Sequence, residues 1–316
     1  MKMSRLLVLT MLSSVTTITS AGFFPKQWED SDQGIWQAAF EGQYFEQSNN
    51  LALFDKPTAG DNRDYFKAPN AEGQWGFRAS LAYIFASQNY DIRASYWQVN
   101  ANQNTSYTVS DPDVNFRADV SEPSHYDFNA AELTLGQYLD LSCCLSLRLG
   151  YGIAYANISQ KAKSYVDAFS NNIPVDKGYH SFRNNFKGLG PKVGADLAFD
   201  INNSWSLLGG LGASVLFGES EVFFVSKDVD NGDDDFYDKK DNKTVFAADA
   251  KAGVGFTQTI NEDFAFNLEA GYRAAIYFNA LSDDNVNFPQ TGSFLTFDDS
   301  DYYNYGPYIS AALDFM

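Results

Sequence analysis

The stretch Leu145-Ser146-Leu147-Arg148-Leu149-Gly150-Tyr151-Gly152-Ile153-Ala154-Tyr155 decides the fold. Its odd positions are all leucine, isoleucine or tyrosine, and its even positions are polar, charged or very small. Side chains alternate across a strand with period two, whereas helical spacing would mix the two sets on every face. Residues 145–155 are therefore expected to form a strand with one apolar wall and one polar or small-residue wall.

Working outward, the same pattern returns along the chain. Trp75, Phe77, Leu81, Tyr83 and Phe85 oppose Gln74, Arg78 and Ser80. Tyr90, Ile92 and Tyr96 oppose Asp91, Arg93 and Ser95. Leu133, Leu135 and Leu139 oppose Glu132 and Thr134, and Val193, Leu197 and Phe199 oppose Lys192 and Asp196. Leu207, Leu211, Val215 and Phe217 oppose Ser206, Gly210, Gly212 and Ser214. Phe246, Val254 and Phe256 oppose Asp249 and Lys251. Phe264, Phe266, Leu268, Tyr272 and Ile276 oppose Asn267, Glu269 and Arg273. Weaker members at Trp36-Phe40-Tyr44 and Tyr305-Ile309-Leu313-Phe315 bracket the set, which makes ten strands. The registers rest on apolar residues, so the charges test them separately. In Asp91/Arg93, Lys192/Asp196, Asp249/Lys251 and Glu269/Arg273 both charges share one parity, opposite the apolar set. A wall with lipid on one side and a polar interior on the other has this pattern.

The connections support the class. Short turns are expected near Ser87-Gln88-Asn89, from Asp140 to Cys143, at Asp200-Ile201-Asn202-Asn203, and from Thr259 to Asp263. Between them lie long polar connections at 47–72, 101–126, 157–185, 219–243 and 279–302. Strict alternation of short and long is the habit of outer-membrane barrels, with tight periplasmic turns and long external loops. A soluble β-sandwich also alternates, but its strands are usually shorter and its loops keep no such rhythm. In lipid an antiparallel sheet tolerates no unpaired edge, so it must close. The expected fold is an all-β transmembrane antiparallel up-and-down barrel of about ten strands, in one domain over 22–316.

The N-terminus stands apart. Lys2 and Arg5 precede an apolar stretch, Leu6 to Leu12, then small polar residues to Thr19-Ser20-Ala21. This is the pattern of a secretory signal over residues 1–21, cleaved near Ala21. The apolar stretch is too short for a membrane helix, and no run of about 18 apolar residues follows it. The chain has 40 acidic and 22 basic residues, a formal charge of -18. Such a balance argues against a nucleic-acid partner, which needs a basic face. Two cysteines and two histidines give neither a disulfide framework nor a four-ligand zinc site. No cofactor motif is found.

Three stretches carry a family resemblance: Ala131-Glu132-Leu133-Thr134-Leu135-Gly136-Gln137-Tyr138-Leu139-Asp140-Leu141-Ser142, Gly150-Tyr151-Gly152-Ile153-Ala154-Tyr155-Ala156 and Phe186-Lys187-Gly188-Leu189-Gly190-Pro191-Lys192-Val193-Gly194. With Gly271-Tyr272 and the aromatic C-terminus, they make the sequence resemble the Legionella-type major outer membrane protein family of pore-forming proteins. The resemblance implies an integral barrel of a Gram-negative outer membrane, exposed to the host. Its motifs are structural and mark no active site. Barrels of this kind usually end on an aromatic residue, whereas here Met316 follows Phe315.

The inferred inner face carries Arg78, Arg93, Arg148, Lys192, Lys251 and Arg273 against Glu41, Asp91, Glu132, Asp196, Asp249, Glu269 and Asp314. These are the expected pore-lining residues, and they also suit a salt-bridged filling, since ten strands lie near the closed end of barrel sizes. Asp228-Val229-Asp230-Asn231-Gly232-Asp233-Asp234-Asp235 resembles a calcium loop, but Lys239 stands where the bidentate glutamate belongs, so a solvated acidic loop is expected. His125 and His180 each adjoin a serine, Ser124 and Ser181, without a nucleophile motif, and no enzyme activity is expected. Gly209-Gly210-Leu211-Gly212 and Gly188-Leu189-Gly190 lack dinucleotide spacing and suit small inward positions. Cys143 and Cys144 fall at a turn in an oxidising compartment. They are either cross-linked between chains, as the resemblance implies for family relatives, or unbridged. Trp36, Trp75, Trp97, Trp205, Tyr138, Tyr303 and Tyr305 are expected in the aromatic girdles.

Two functions remain open on these residues. One is a narrow or gated pore for ions and small polar solutes. The other is a closed barrel whose external loops, with Tyr65, Phe66, Phe223, Phe224, Tyr237, Phe294 and Phe297, bind host surface molecules. Outer-membrane lipid and lipopolysaccharide are expected partners in either case, and so is a second copy of the chain. A closed ladder resists detergent, so unboiled protein should migrate differently from boiled protein on a denaturing gel. Unchanged mobility would contradict the barrel.

Overall fold

The structure, a computed structural model, describes residues 34–49, 71–85, 89–111, 116–170, 173–228, 234–261, 263–286 and 295–316. The expected leader, Tyr65, Phe66, Phe294 and residues 229–233 of the acidic run lie outside the described residues. Ten strands form: β1 (Ile35–Asn49), β2 (Ala71–Ile84), β3 (Tyr90–Asp111), β4 (Phe116–Ser142), β5 (Leu145–Ser170), β6 (Ile173–Asp200), β7 (Trp205–Asp228), β8 (Asp234–Thr259), β9 (Phe264–Val286) and β10 (Leu295–Phe315). Each pairs antiparallel with its sequence neighbours, and β1 pairs with β10 from Trp36↔Phe315 to Asn49↔Tyr302. The sheet is a closed barrel.

The two parities separate as expected. Trp75 is 70% exposed and Val193 and Phe217 are each 59% exposed, while Asp91 and Asp314 are fully buried. Large exposed apolar side chains from all ten strands form the outer belt, among them Phe40, Leu81, Ile92, Leu135, Ile153, Leu207, Val254, Leu268 and Ile309. Only lipid makes such a surface stable, because hydrocarbon contact on a water-facing wall would drive association. At the short-turn end the belt carries Trp36 beside Tyr83, with ring centroids 4.9 Å apart, and Trp205 beside Phe256, 5.1 Å apart. Phe315 joins them next to Trp36 and Phe264.

The short turns are built locally. Asn202 Oδ1 accepts from the backbone N–H groups of Ser204 and Trp205, both at 2.9 Å. Asn261 Oδ1 repeats this with Asp263 and Phe264, at 3.0 and 2.8 Å. Asparagine suits both places because its side chain imitates a backbone turn. Cys143 and Cys144 occupy the β4–β5 turn, their sulfurs 3.2 Å apart.

Two expectations need correction. The strands run up to 28 residues, so most of the connections expected at 101–126, 157–185 and 219–243 are ladder. β3 and β4 stay paired to Asp111↔Phe116, and β5 and β6 to Ser170↔Ile173. A membrane strand needs only about 9–11 residues. Beyond the lipid both faces meet water or other side chains, so the apolar alternation fades although the hydrogen bonds continue. Phe223 and Phe224 accordingly sit on β7, where Phe224 packs inward with Phe182, Val222 and Tyr237. The second correction concerns girdle residues. Trp97 and Tyr138 point into the barrel and are buried, because they share the parity of Asp91 and Glu132 respectively.

Leu149, on the outer wall, tests the belt. Leu149→Arg sets a charge against hydrocarbon at a cost of up to about 2–4 kcal/mol. The folded fraction on an unboiled gel should fall, whereas Tyr165→Arg, higher on the same face and opposite Tyr179 and Ser121, should fold normally.

Candidate functional site: the barrel lumen

All eleven residues expected to line the interior face it, as do Glu41 and Asp314, and they form two polar layers. In the layer nearest the short turns, Arg148 on β5 grips Asp91 on β3 with both arms of its guanidinium. Nε reaches Oδ2 at 2.8 Å and Nη2 reaches Oδ1 at 2.7 Å. Its Nη1 donates to Asp196 Oδ2 on β6 at 2.9 Å. Tyr138 donates to Asp91 at 2.9 Å, and Arg93 approaches the same carboxylate at 3.4 Å. The bridge passes over β4 at Gly136, where a Cβ would lie 2.3 Å from both Arg148 Nε and Asp91 Oδ1. The absence of a side chain there is what allows two strands to meet across a third. Nearby, Asp314 accepts from Gln37 Nε2 at 2.8 Å and Asn267 Nδ2 at 2.7 Å, tying β10 to both its neighbours from inside.

The middle layer links alternate strands. Arg78 on β2 meets Glu132 on β4 at 2.9 Å, Lys192 on β6 meets Glu132 at 2.7 Å, and Lys192 meets Asp249 on β8 at 2.7 Å. On the opposite wall Arg273 pairs with Glu41 at 2.9 Å, and Glu269 accepts from both Lys251 and Tyr308. Each lumen cation has an acidic partner. That pairing is required, since a lone buried charge costs several kcal/mol.

An apolar layer lies above, and sequence reading missed it. Phe45, Trp97, Phe128, Tyr277 and Tyr302 form a ring cluster. Trp97 and Phe128 are 4.8 Å apart, Phe45 and Trp97 5.4 Å, and Phe128 lies 5.6 Å from Tyr277 and 5.7 Å from Tyr302. Ile158, Phe186, Leu216 and Val245 complete the layer, to which every strand but β2 contributes. β2 presents Gly76 instead, where a Cβ would fall 2.6 Å from the Phe45 ring. The available signal was parity carried upward: Trp97 continues Asp91 and Arg93, Phe128 continues Glu132, and Tyr277 continues Arg273. The Arg273 guanidinium lies 5.9 Å from the Trp97 ring and joins the two layers.

Among the polar groups there are cavities of about 50 and 40 Å³, the first lined by Glu41, Arg78, Arg93, Lys251, Glu269 and Arg273. One water needs about 10–15 Å³, so each space has room for a few waters. The histidines take no part. His125 faces outward between Asp127 at 2.9 Å and Asn102 at 2.6 Å. His180 stacks on Phe224, rings 6.1 Å apart, and burial pushes its pKa down. Adjacent strand residues face opposite ways, so neither Ser124 nor Ser181 shares a face with its histidine. Among the described residues no group of acidic, histidine or cysteine side chains could hold a metal.

A family model described as the Legionella pneumophila major outer membrane protein precursor matches residues 28–315. The chain therefore belongs to that family and is an outer-membrane β-barrel protein. No curated protein sequence matches the chain significantly. Among solved structures, the outer membrane protease OmpT from Escherichia coli is similar at 12% identity and a TM-score of 0.47, covering 94% of this chain and 98% of its own. The toluene transporter TodX from P. putida is similar at 8% identity and a TM-score of 0.37, covering 92% and 91%. A major outer membrane protein from Thermus thermophilus shows 11% identity and a TM-score of 0.30, covering 89% and 99%.

Arg148 is the hub of the lower layer. Arg148→Met strands Asp196 and loosens Asp91, and breaking a buried pair costs about 3–5 kcal/mol. The urea midpoint of the folded barrel should drop by a corresponding amount. Adding Asp196→Asn should return part of the loss, because it removes the uncompensated charge.

Proposed function

We propose that this member of the Legionella major outer membrane protein family is a pore-forming barrel closed at rest, passing ions and small polar solutes when its apolar layer parts. The observation that carries this reading is the pairing of a charged lumen, with room for water among its ion pairs, with an aromatic layer above it. A barrel serving only as a stalk would be as stable, or more so, with apolar filling, since replacing buried ion pairs by well-packed hydrocarbon is often neutral or stabilising. Rings of charge with water between them suit a pathway whose selectivity they set, and a hydrophobic constriction gates by excluding water. Opening then requires Phe45, Trp97, Phe128, Tyr277 and Tyr302 to separate, after which ions meet Arg78, Arg273 and Lys192.

A second reading has its own support. The paired strands continue well past the lipid belt, to Asp111↔Phe116 and Ser170↔Ile173, and offer a rigid external surface. In that reading the lumen stays shut and the sheet extension binds a host surface molecule.

Planar-bilayer conductance separates the two. Wild type should show rare, brief openings, and Trp97→Ala with Phe128→Ala should raise open probability severalfold. In that open background Arg273→Glu should shift selectivity toward cations, because a charge acts strongly in a narrow low-dielectric passage. A folded double variant that still conducts nothing would overturn the pore and favour the surface-binding barrel.

A further inference from the structure

The outer wall changes chemistry along β5 and β6. Tyr155 and Leu189 are register partners and are exposed at the upper edge of the apolar belt. Above them Lys161, Lys163, Arg183 and Lys187 all point outward and are exposed. Their orientation is set by the residues alternating with them, since Gln160, Ala162, Phe182, Asn184 and Phe186 are buried in the barrel. Lys161 and Arg183 stand directly opposite each other. Like charges so placed destabilise a strand pair, and Glu221, 3.7 Å from Arg183, relieves only the β6 side of this one.

The cluster is unusual for this chain. The protein carries -18 overall, and six cations already serve the lumen. The neighbouring acids offset the wall only in part, since Glu221 faces Arg183 but is shared with Lys240, and Glu219 faces Lys187. Asp127 holds His125 at 2.9 Å, while Glu221 lies 3.7 Å from Arg183 and 3.2 Å from Lys240. Glu219 stands opposite Lys187 across the β6–β7 ladder.

Height identifies the occupant. With a rise of about 3.3 Å per residue and a tilt of about 40°, each residue climbs about 2.5 Å. Lys187 lies two positions beyond Leu189, and Lys161 six beyond Tyr155. The cations therefore stand about 5 to 15 Å above the apolar edge, at the depth of the phosphates and sugars of an outer-leaflet glycolipid. We infer that the β5–β6 outer wall binds a phosphorylated outer-leaflet glycolipid, with Lys161, Arg183 and Lys187 on its phosphates and its acyl chains along Tyr155 and Leu189. This inference rests on the outer-membrane placement of the family and is independent of conduction.

Titration of lipid A into the full-length barrel in detergent, read by native mass spectrometry, tests it. Wild type should retain lipid A, and K161Q/R183Q/K187Q should bind it about tenfold more weakly or worse, since charge-assisted hydrogen bonds are lost. Arg117→Gln, an outer-wall change on β4, should bind as wild type does. Dephosphorylated lipid A should bind wild type as weakly as the triple variant binds the intact lipid. This arm decides the matter even if the triple variant fails to fold. Equal binding of phosphorylated and dephosphorylated lipid, or of wild type and folded triple variant, would overturn the site. Displacement of the lipid by millimolar inorganic phosphate would show a bare anion site and overturn the lipid assignment.

Discussion

Hydrocarbon offers no hydrogen bonds, so every backbone N–H and C=O at lipid depth must be paired within the protein. Everything else in this barrel follows from meeting that demand by closing β1 onto β10. The seam runs from Trp36↔Phe315 upward and is reinforced on both faces. Outside, Trp36, Phe264 and Phe315 share the interface. Inside, Asp314 is held by Gln37 and Asn267, one from each adjoining strand. Met316 extends the chain one residue beyond the seam, and its N–H donates to the Asp263 carbonyl at 3.3 Å.

Closure creates an interior that inward side chains fill, with cavities of about 50 and 40 Å³ left among the polar groups. The chain divides it by height. Near the short turns, charges pair across alternate strands, because inward side chains of every second strand meet at one level. Higher up, aromatic rings replace them. Arg273 joins these regions, its charge satisfied by Glu41 below and its guanidinium near the Trp97 ring above. Both layers are made of side chains, so the hydrogen-bonded ladder itself holds the wall closed around them.

The outer wall shows the same economy of position. Strands extend far beyond the depth that lipid requires, so residues there are freed from apolar alternation but remain rigidly displayed. His125, Lys161 and Arg183 occupy successive strands of one ladder row. A flexible loop of the same composition could not hold two like charges opposite each other.

The strand pattern, the parity of the charges and the count of ten strands were legible in the sequence, because a membrane wall imposes two different solvents on alternate residues. Asp91/Arg93 and Glu269/Arg273 revealed the inner face for that reason, and the family motifs around Gly136 and Gly150 agreed with it. The ends of the strands were not legible. Past the lipid, the ladder at 157–170 persists on hydrogen bonds that no side-chain pattern records. Nor was the filling of the lumen. Trp97 and Tyr138 looked like girdle residues because aromatics suit an interface as well as a core, and only parity carried along a continuous strand sends them inward. Which cation meets which acid was decided by closure. Arg148 finds Asp91 across a strand because Gly136 leaves the way open, and that geometry exists only once the wall has curved round on itself.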